Sequence, residues 1–93
     1  MGKAETFWQR LSDAADLGEE SLIGQVIVEI TGENRVLIEN HMGVKGYSRE
    51  KIVIRVRYGY IHVCGEHLEL IRMSRDTLVI RGKILQVCLN RRK

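Results

Sequence analysis

A chain of 93 residues, 44% hydrophobic and 29% charged, has the composition of one soluble globular domain with a modest core. No apolar run exceeds three consecutive residues, which excludes a transmembrane helix and the hydrophobic stretch of a signal peptide. The net charge of +3 is unevenly spread: residues 1–20 hold two basic and five acidic side chains, the remainder thirteen and seven.

In chain order, residues 4–17 read as an amphipathic α-helix. Phe7, Trp8, Leu11, Ala14 and Ala15 fall on one stripe at helical spacing, and Gly18 can close the helix from a left-handed conformation. A membrane-surface helix carries Lys and Arg on its polar face, whereas Glu5, Asp13 and Asp16 here outnumber Lys3 and Arg10. The stripe is therefore expected to dock on the chain's own sheet or on a protein partner.

From Leu22 the period changes to two, the mark of half-buried strands. Val26, Val28 and Ile30 alternate with polar or outer positions, a turn follows at Thr31-Gly32-Glu33-Asn34, and Val36 and Ile38 resume the inner face. Ile52, Ile54 and Val56 come next, then a tight hairpin connection at Tyr58-Gly59. Ile61 and Val63 precede a turn at Gly65; Leu68, Leu70, Leu78 and Ile80 continue, and Gly82 separates them from Leu85, Val87 and Leu89. Residues 22–90 thus form an all-β body, with 91–93 as a basic tail.

The body contains an internal repeat of 26 residues. His41–Arg55, HMGVKGYSREKIVIR, aligns without a gap on His67–Arg81, HLELIRMSRDTLVIR. Each unit supplies about three short strands. The glycine hairpin signals favour antiparallel pairing, in a meander or small sandwich. A β-solenoid with a 26-residue coil is the alternative, although solenoids need three or more repeats and only two full copies are present. With no proline in the chain, edge strands must be protected by charge or by a partner.

Three groups of residues invite chemistry. His62, Cys64 and His67 form an H-x-C-x-x-H string, but zinc takes four ligands in structural sites and His67 aligns with His41, which has no cysteine near it. No metal site is expected. Ser48-Arg49-Glu50 and Ser74-Arg75-Asp76 lack a local histidine to activate the serine, and a bend held by the hydroxyl explains both. Lys51, Arg55 and Arg57, close to Tyr58 and Tyr60, would suit single-stranded nucleic acid in an Sm-like or OB-like body. Aromatics make up only 5% of the chain, so a solvated basic face is the simpler reading. Cys64 and Cys88 have no motif spacing and read as reduced, buried thiols of an intracellular protein.

Ile38-Glu39-Asn40-His41-Met42-Gly43-Val44, together with Trp8, Tyr58-Gly59-Tyr60-Ile61, Val63-x-Gly65 with Leu68, and Ile80-x-Gly82-x-Ile84, carries a resemblance. The chain resembles the YabP/YqfC sporulation protein family of endospore-forming bacteria, and its YqfC branch in particular. That resemblance implies production in the mother cell and a protein partner, the membrane-anchored sporulation protein YqfD. It implies no catalytic residues and no cofactor.

The expectation from the chain is a non-enzymatic structural and interaction protein of endospore formation. It is read as cytoplasmic, membrane-associated only through its partner, with self-association left open. Phe7, Trp8 and Leu11, or a sheet edge carrying Arg55 and Arg57, are the expected partner contacts. A nucleic-acid-binding β module is the alternative.

Overall fold

The computed structural model describes residues 24–91. They form six strands: β1 (Ile27–Thr31), β2 (Arg35–Glu39), β3 (Val44–Tyr47), β4 (Lys51–Val56), β5 (Gly59–Met73) and β6 (Thr77–Arg91). All neighbours are antiparallel, in one open sheet of order β1-β2-β6-β5-β4-β3. No helix occurs among the described residues. The helix expected at 4–17, with Phe7, Trp8 and Leu11, lies outside them, as do Arg92 and Lys93 of the basic tail.

The alternating residues do what their period demands. Val36 and Ile38 of β2, Ile52, Ile54 and Val56 of β4, Ile61, Val63 and Leu68 of β5, and Leu78 and Ile80 of β6 form one buried cluster. Strands β2 and β4 are separated in the sheet by β6 and β5, so a flat sheet could not bring their side chains together. The sheet must fold over itself. The same conclusion follows from the chain between Glu39 and Val44. A flat sheet would hold β2 and β3 about 19 Å apart, beyond a four-residue connector that also takes a left-handed turn at Asn40 (φ 66°).

The fold-over is made inside the two longest strands. β5 and β6 each run 15 residues without interruption. Gly65 of β5 lies so close to β6 that a Cβ there would sit 2.0 Å from the Lys83 carbonyl oxygen. Gly82 of β6 (φ 148°) is its counterpart, with a Cβ position 2.8 Å from the His67 carbonyl oxygen and 2.9 Å from the Leu68 Cα. Only residues without side chains let two backbones approach so closely. Register shifts at Cys64/Gly65, Glu66/Glu69 and Leu70/Arg72 absorb the bend.

Two sequence expectations are corrected here. Gly65 and Gly82 do not end strands; they bend them, because each faces the opposite backbone instead of solvent. Leu85 and Leu89 do not join the core. They share a face with Val87, whose cross-strand partner Val63 is fully buried, yet they are 61% and 59% exposed, because this end of β6 is uncovered on one side.

The repeat is realised as an exchange of strands. Carried back by the same 26-residue offset, which sets Leu37 over Val63, the two units are β2 to β4 and the first part of β5 to the first part of β6. β4, the last strand of the first unit, pairs with the first part of β5, which opens the second. The first part of β6, closing the second unit, pairs back onto β2. The bends are exchanged as well: Arg49 and Glu50 carbonyls accept amides from Leu68 and Gly65, while the Asp76 carbonyl accepts those of Asn40 and His41. Units that exchange strands in this antiparallel way cannot stack by translation, so the solenoid alternative fails. Strands β3 to β6 form a meander; β2 breaks the pattern by lying beside β6.

Candidate functional site

The connector between β2 and β3 contains the one buried polar side chain among the described residues. His41 is only 7% exposed. Its Nδ1 accepts the Gly43 amide at 2.9 Å, which places the ring proton on Nε2, and Nε2 donates to the Ser74 carbonyl at 3.0 Å. Asn40 supplies the left-handed turn, and its side-chain amide donates to the Gln25 carbonyl at 2.5 Å. The Met42 amide donates to Arg55 and the Arg55 amide to Gly43. The segment Asn40–Gly43 therefore ties β2, the β5–β6 bend and β4 together. His41 and His67, equivalent in the repeat, have opposite fates: His67 is exposed at a left-handed position (φ 54°) inside the β5 irregularity.

Both serine bends are built as their sequence requires. The Ser48 hydroxyl accepts the Glu50 and Lys51 amides and donates to the Lys51 carbonyl; that of Ser74 accepts the Thr77 amide and donates to the Thr77 carbonyl. Although His41 reaches Ser74, its ring meets the backbone carbonyl while the hydroxyl serves the bend. This histidine and serine are not arranged as base and nucleophile.

His62 and Cys64 project from the same outward face of β5, and His62 Nε2 lies 3.0 Å from the Asn90 side-chain amide nitrogen. His67 does not join them: the irregularity at Glu66–Glu69 carries it to a hollow shared with Arg49, Leu68 and Glu69. Among the described residues no group of three His, Cys, Asp or Glu could hold a metal ion. Cys64 and Cys88 are both free and half-buried on this outward face, less buried than their apolar neighbours suggested.

Glu39, at the end of β2, has its carboxyl pushed above the ordinary value of 4.5, first by burial and then by the charge of Glu29. A carboxyl raised in the folded state contributes its stability below the ordinary value and loses it as pH rises through the raised one. Glu39→Gln should therefore raise the melting temperature at neutral pH. That gain should vanish below about pH 4, where the wild-type carboxyl is also neutral; thermal melts at the two pH values check both halves.

The basic residues singled out in the sequence gather on the outward side of β4. Arg55 pairs across to Tyr60 of β5, and Lys51 to Cys64. Lys45, from β3, stacks its ammonium 4.4 Å above the Tyr60 ring and reaches its hydroxyl at 3.4 Å. Arg57 follows in the β4–β5 turn, beside Gly24. β4 is not an edge, as expected for Arg55 and Arg57, but lies between β3 and β5; the sheet's terminal strands are β1 and β3.

Two adjoining hollows lie along this side. One is lined by Met42, Arg55, Val56, Arg57, Gly59 and Tyr60, the other by Met42, Gly43, Val44, Lys45 and Arg55. Met42, 62% exposed, is common to both and gives the depression an apolar centre. Glu66 and Glu69 do not neutralise it, since they pair with Lys83 and Arg81. Lys45, Lys51, Arg55 and Arg57 form no ion pair among the described residues. Sequence reading found Arg55 and Arg57 but missed Lys45 and Met42. Their spacing carries no signal, because the β2–β3 connector brings them against β4 from elsewhere in the chain.

A comparison with known families matches residues 24–93 to the YabP family. No curated protein and no solved structure matches the chain. The match starts with the first described residue and takes in the whole bent sheet, including the Asn40–Gly43 connector and both glycine bends. The chain belongs to the YabP family.

Proposed function

We propose that this protein is a non-enzymatic interaction module of endospore formation that docks a protein partner. Family membership suggests the sporulation-related role; the YqfC branch is the closer reading of the sequence. The observation that carries docking is the depression around Met42, lined by Lys45, Arg55 and Arg57, none of which forms an ion pair among the described residues. Fixed positive charge beside an apolar centre suits an acidic partner segment that also offers an apolar side chain, with charge guiding approach and the apolar contact holding it. The cytoplasmic part of a membrane-anchored sporulation protein, YqfD, is the partner this reading names. Such an arrangement places the protein in the mother-cell cytoplasm, at the membrane only through that partner. Phe7, Trp8 and Leu11 are a second proposed contact.

A nucleic-acid ligand would use the same cations. The Tyr60 ring, however, already carries Lys45 on one face, which removes a stacking surface that single-stranded bases would need.

Arg55→Glu with Arg57→Glu should abolish capture of the partner's soluble domain by the purified protein. Both residues are exposed, so the β circular-dichroism signal should be unchanged. Undiminished capture by the folded double variant would refute the site. Steeply salt-dependent binding of a single-stranded oligonucleotide, lost in the same variant, would instead give it to nucleic acid.

A further inference from the structure

Beyond Gly82, β6 has β5 on one side and, among the described residues, no strand on the other. The β1–β2 turn covers only the start of that free side, where Gly82 and Ile84 donate to the Asn34 and Glu33 carbonyls. The residues that follow are Ile84-Leu85-Gln86-Val87-Cys88-Leu89-Asn90, seven in succession with no charge.

Natural edge strands are normally blunted by charge, proline or irregular pairing. The other free edges of this protein are. β1 carries Glu29, β3 carries Lys45 and a register shift, and the second half of β5 carries Glu69, Arg72 and two shifts. The end of β6 has one irregularity, the bulge at Leu85. From Gln86 to Asn90 it pairs regularly with β5 and carries no charge or proline, and it presents Leu85 and Leu89 to solvent.

We propose that this strip is where two copies of the chain meet, β6 against β6, antiparallel about Val87. A two-fold axis perpendicular to the sheet keeps inner faces together. Centred on Val87, it sets Leu85 opposite Leu89 of the second copy, Gln86 opposite Cys88, and Val87 opposite itself. Each exposed leucine then covers another, and idle main-chain groups extend the sheet across both copies. Charge selects the same place. Residues 21–93 carry a clear excess of positive charge, so two such bodies repel wherever their basic faces approach. Across 84–90 the strip opposes no like charges; at each end this register sets Arg91 opposite Lys83 of the second copy, and the Lys83 charge is held by Glu66 at 3.8 Å. It lies at the edge opposite β3, so it leaves the Met42 depression open and is independent of the docking role.

A single-strand contact falls at the small end of stable interfaces, so the dimer should form and dissociate with concentration. Sedimentation equilibrium of the full chain from about 1 µM to about 500 µM should show monomer passing to dimer. Leu89→Arg should weaken it by about ten-fold or more, because two cations would enter a desolvated ladder. At about 1 µM, where both proteins are monomeric, the melting curve of that variant should be unchanged, since Leu89 is mostly exposed. The register is tested with Cys64 and Cys88 replaced by serine. Val87→Cys should oxidise to a covalent dimer, Leu85→Cys alone should not, and Leu85→Cys mixed with Leu89→Cys should. Monomer at every concentration, dimerisation indifferent to Leu89→Arg, or crosslinking centred elsewhere would each overturn the proposal. So would a monomer whose only tryptophan, Trp8, shifts its emission to the red in Leu89→Arg, which would assign the strip to residues 1–23 of the same chain.

Discussion

Gly65→Ala should abolish the cooperative thermal transition of this domain or lower its midpoint by more than about 12 °C. The added methyl would stand 2.0 Å from the Lys83 carbonyl oxygen, and that oxygen belongs to a backbone held in the long β5–β6 pairing. Overpacking that a side chain can relieve costs about 1–3 kcal/mol; here two strands would have to separate at the bend that closes the core. A loss above about 3 kcal/mol takes much of the 5–15 kcal/mol that typically holds a domain together. Gly32→Ala is the control. Its φ of 56° carries a strain of about 1 kcal/mol, but nothing lies within 4 Å of the new methyl. Thermal melts of the two variants should differ widely, and equal losses would mean that the β5–β6 approach does not limit the fold.

His41→Ala should cost about 2–4 kcal/mol. It empties a buried volume, leaves the Gly43 amide without its acceptor, and leaves the Ser74 carbonyl without its side-chain donor. The damage should reach beyond the connector, because the imidazole joins β2 to the β5–β6 bend. Asn at this position keeps an acceptor near Nδ1 and should recover part of the loss. His67→Asn provides the matched control from the other repeat. His67 is exposed, and asparagine tolerates its positive φ, so the change should stay within about 0.5 kcal/mol. Urea unfolding of the three variants gives the comparison. If His41→Ala and His67→Asn behave alike, the connector does not clamp the sheet.

That pair of histidines shows where sequence reading stops. In the repeat they occupy equivalent positions. Only one is buried, because the first unit must leave β2 and cross to the far edge, whereas the second continues within β5. The serine bends were legible because their chemistry is local: a hydroxyl and amides two or three residues on. Arg55 and Arg57 were legible as exposed cations, since alternation along β4 is local too. Their membership of a depression with Lys45 and Met42 was not, for it depends on a connector folding back onto β4. Leu85 and Leu89 misled for a related reason. Period two assigns residues to a face, but whether that face is covered depends on which strand lies opposite.

The sequence by itself determined the strand character of the body, its inward and outward residues, its bends and the doubling of one unit. Each of these rests on φ preferences, hydrogen bonds a few residues long, or the two-residue period of a pleated chain. Tertiary structure alone decided how the copies combine: that β5 and β6 bend through facing glycines, that the units exchange strands, and that the end of β6 is left with a bare side. Pairing between strands far apart in the chain is chosen by the burial of a shared core, and no short stretch of residues records it.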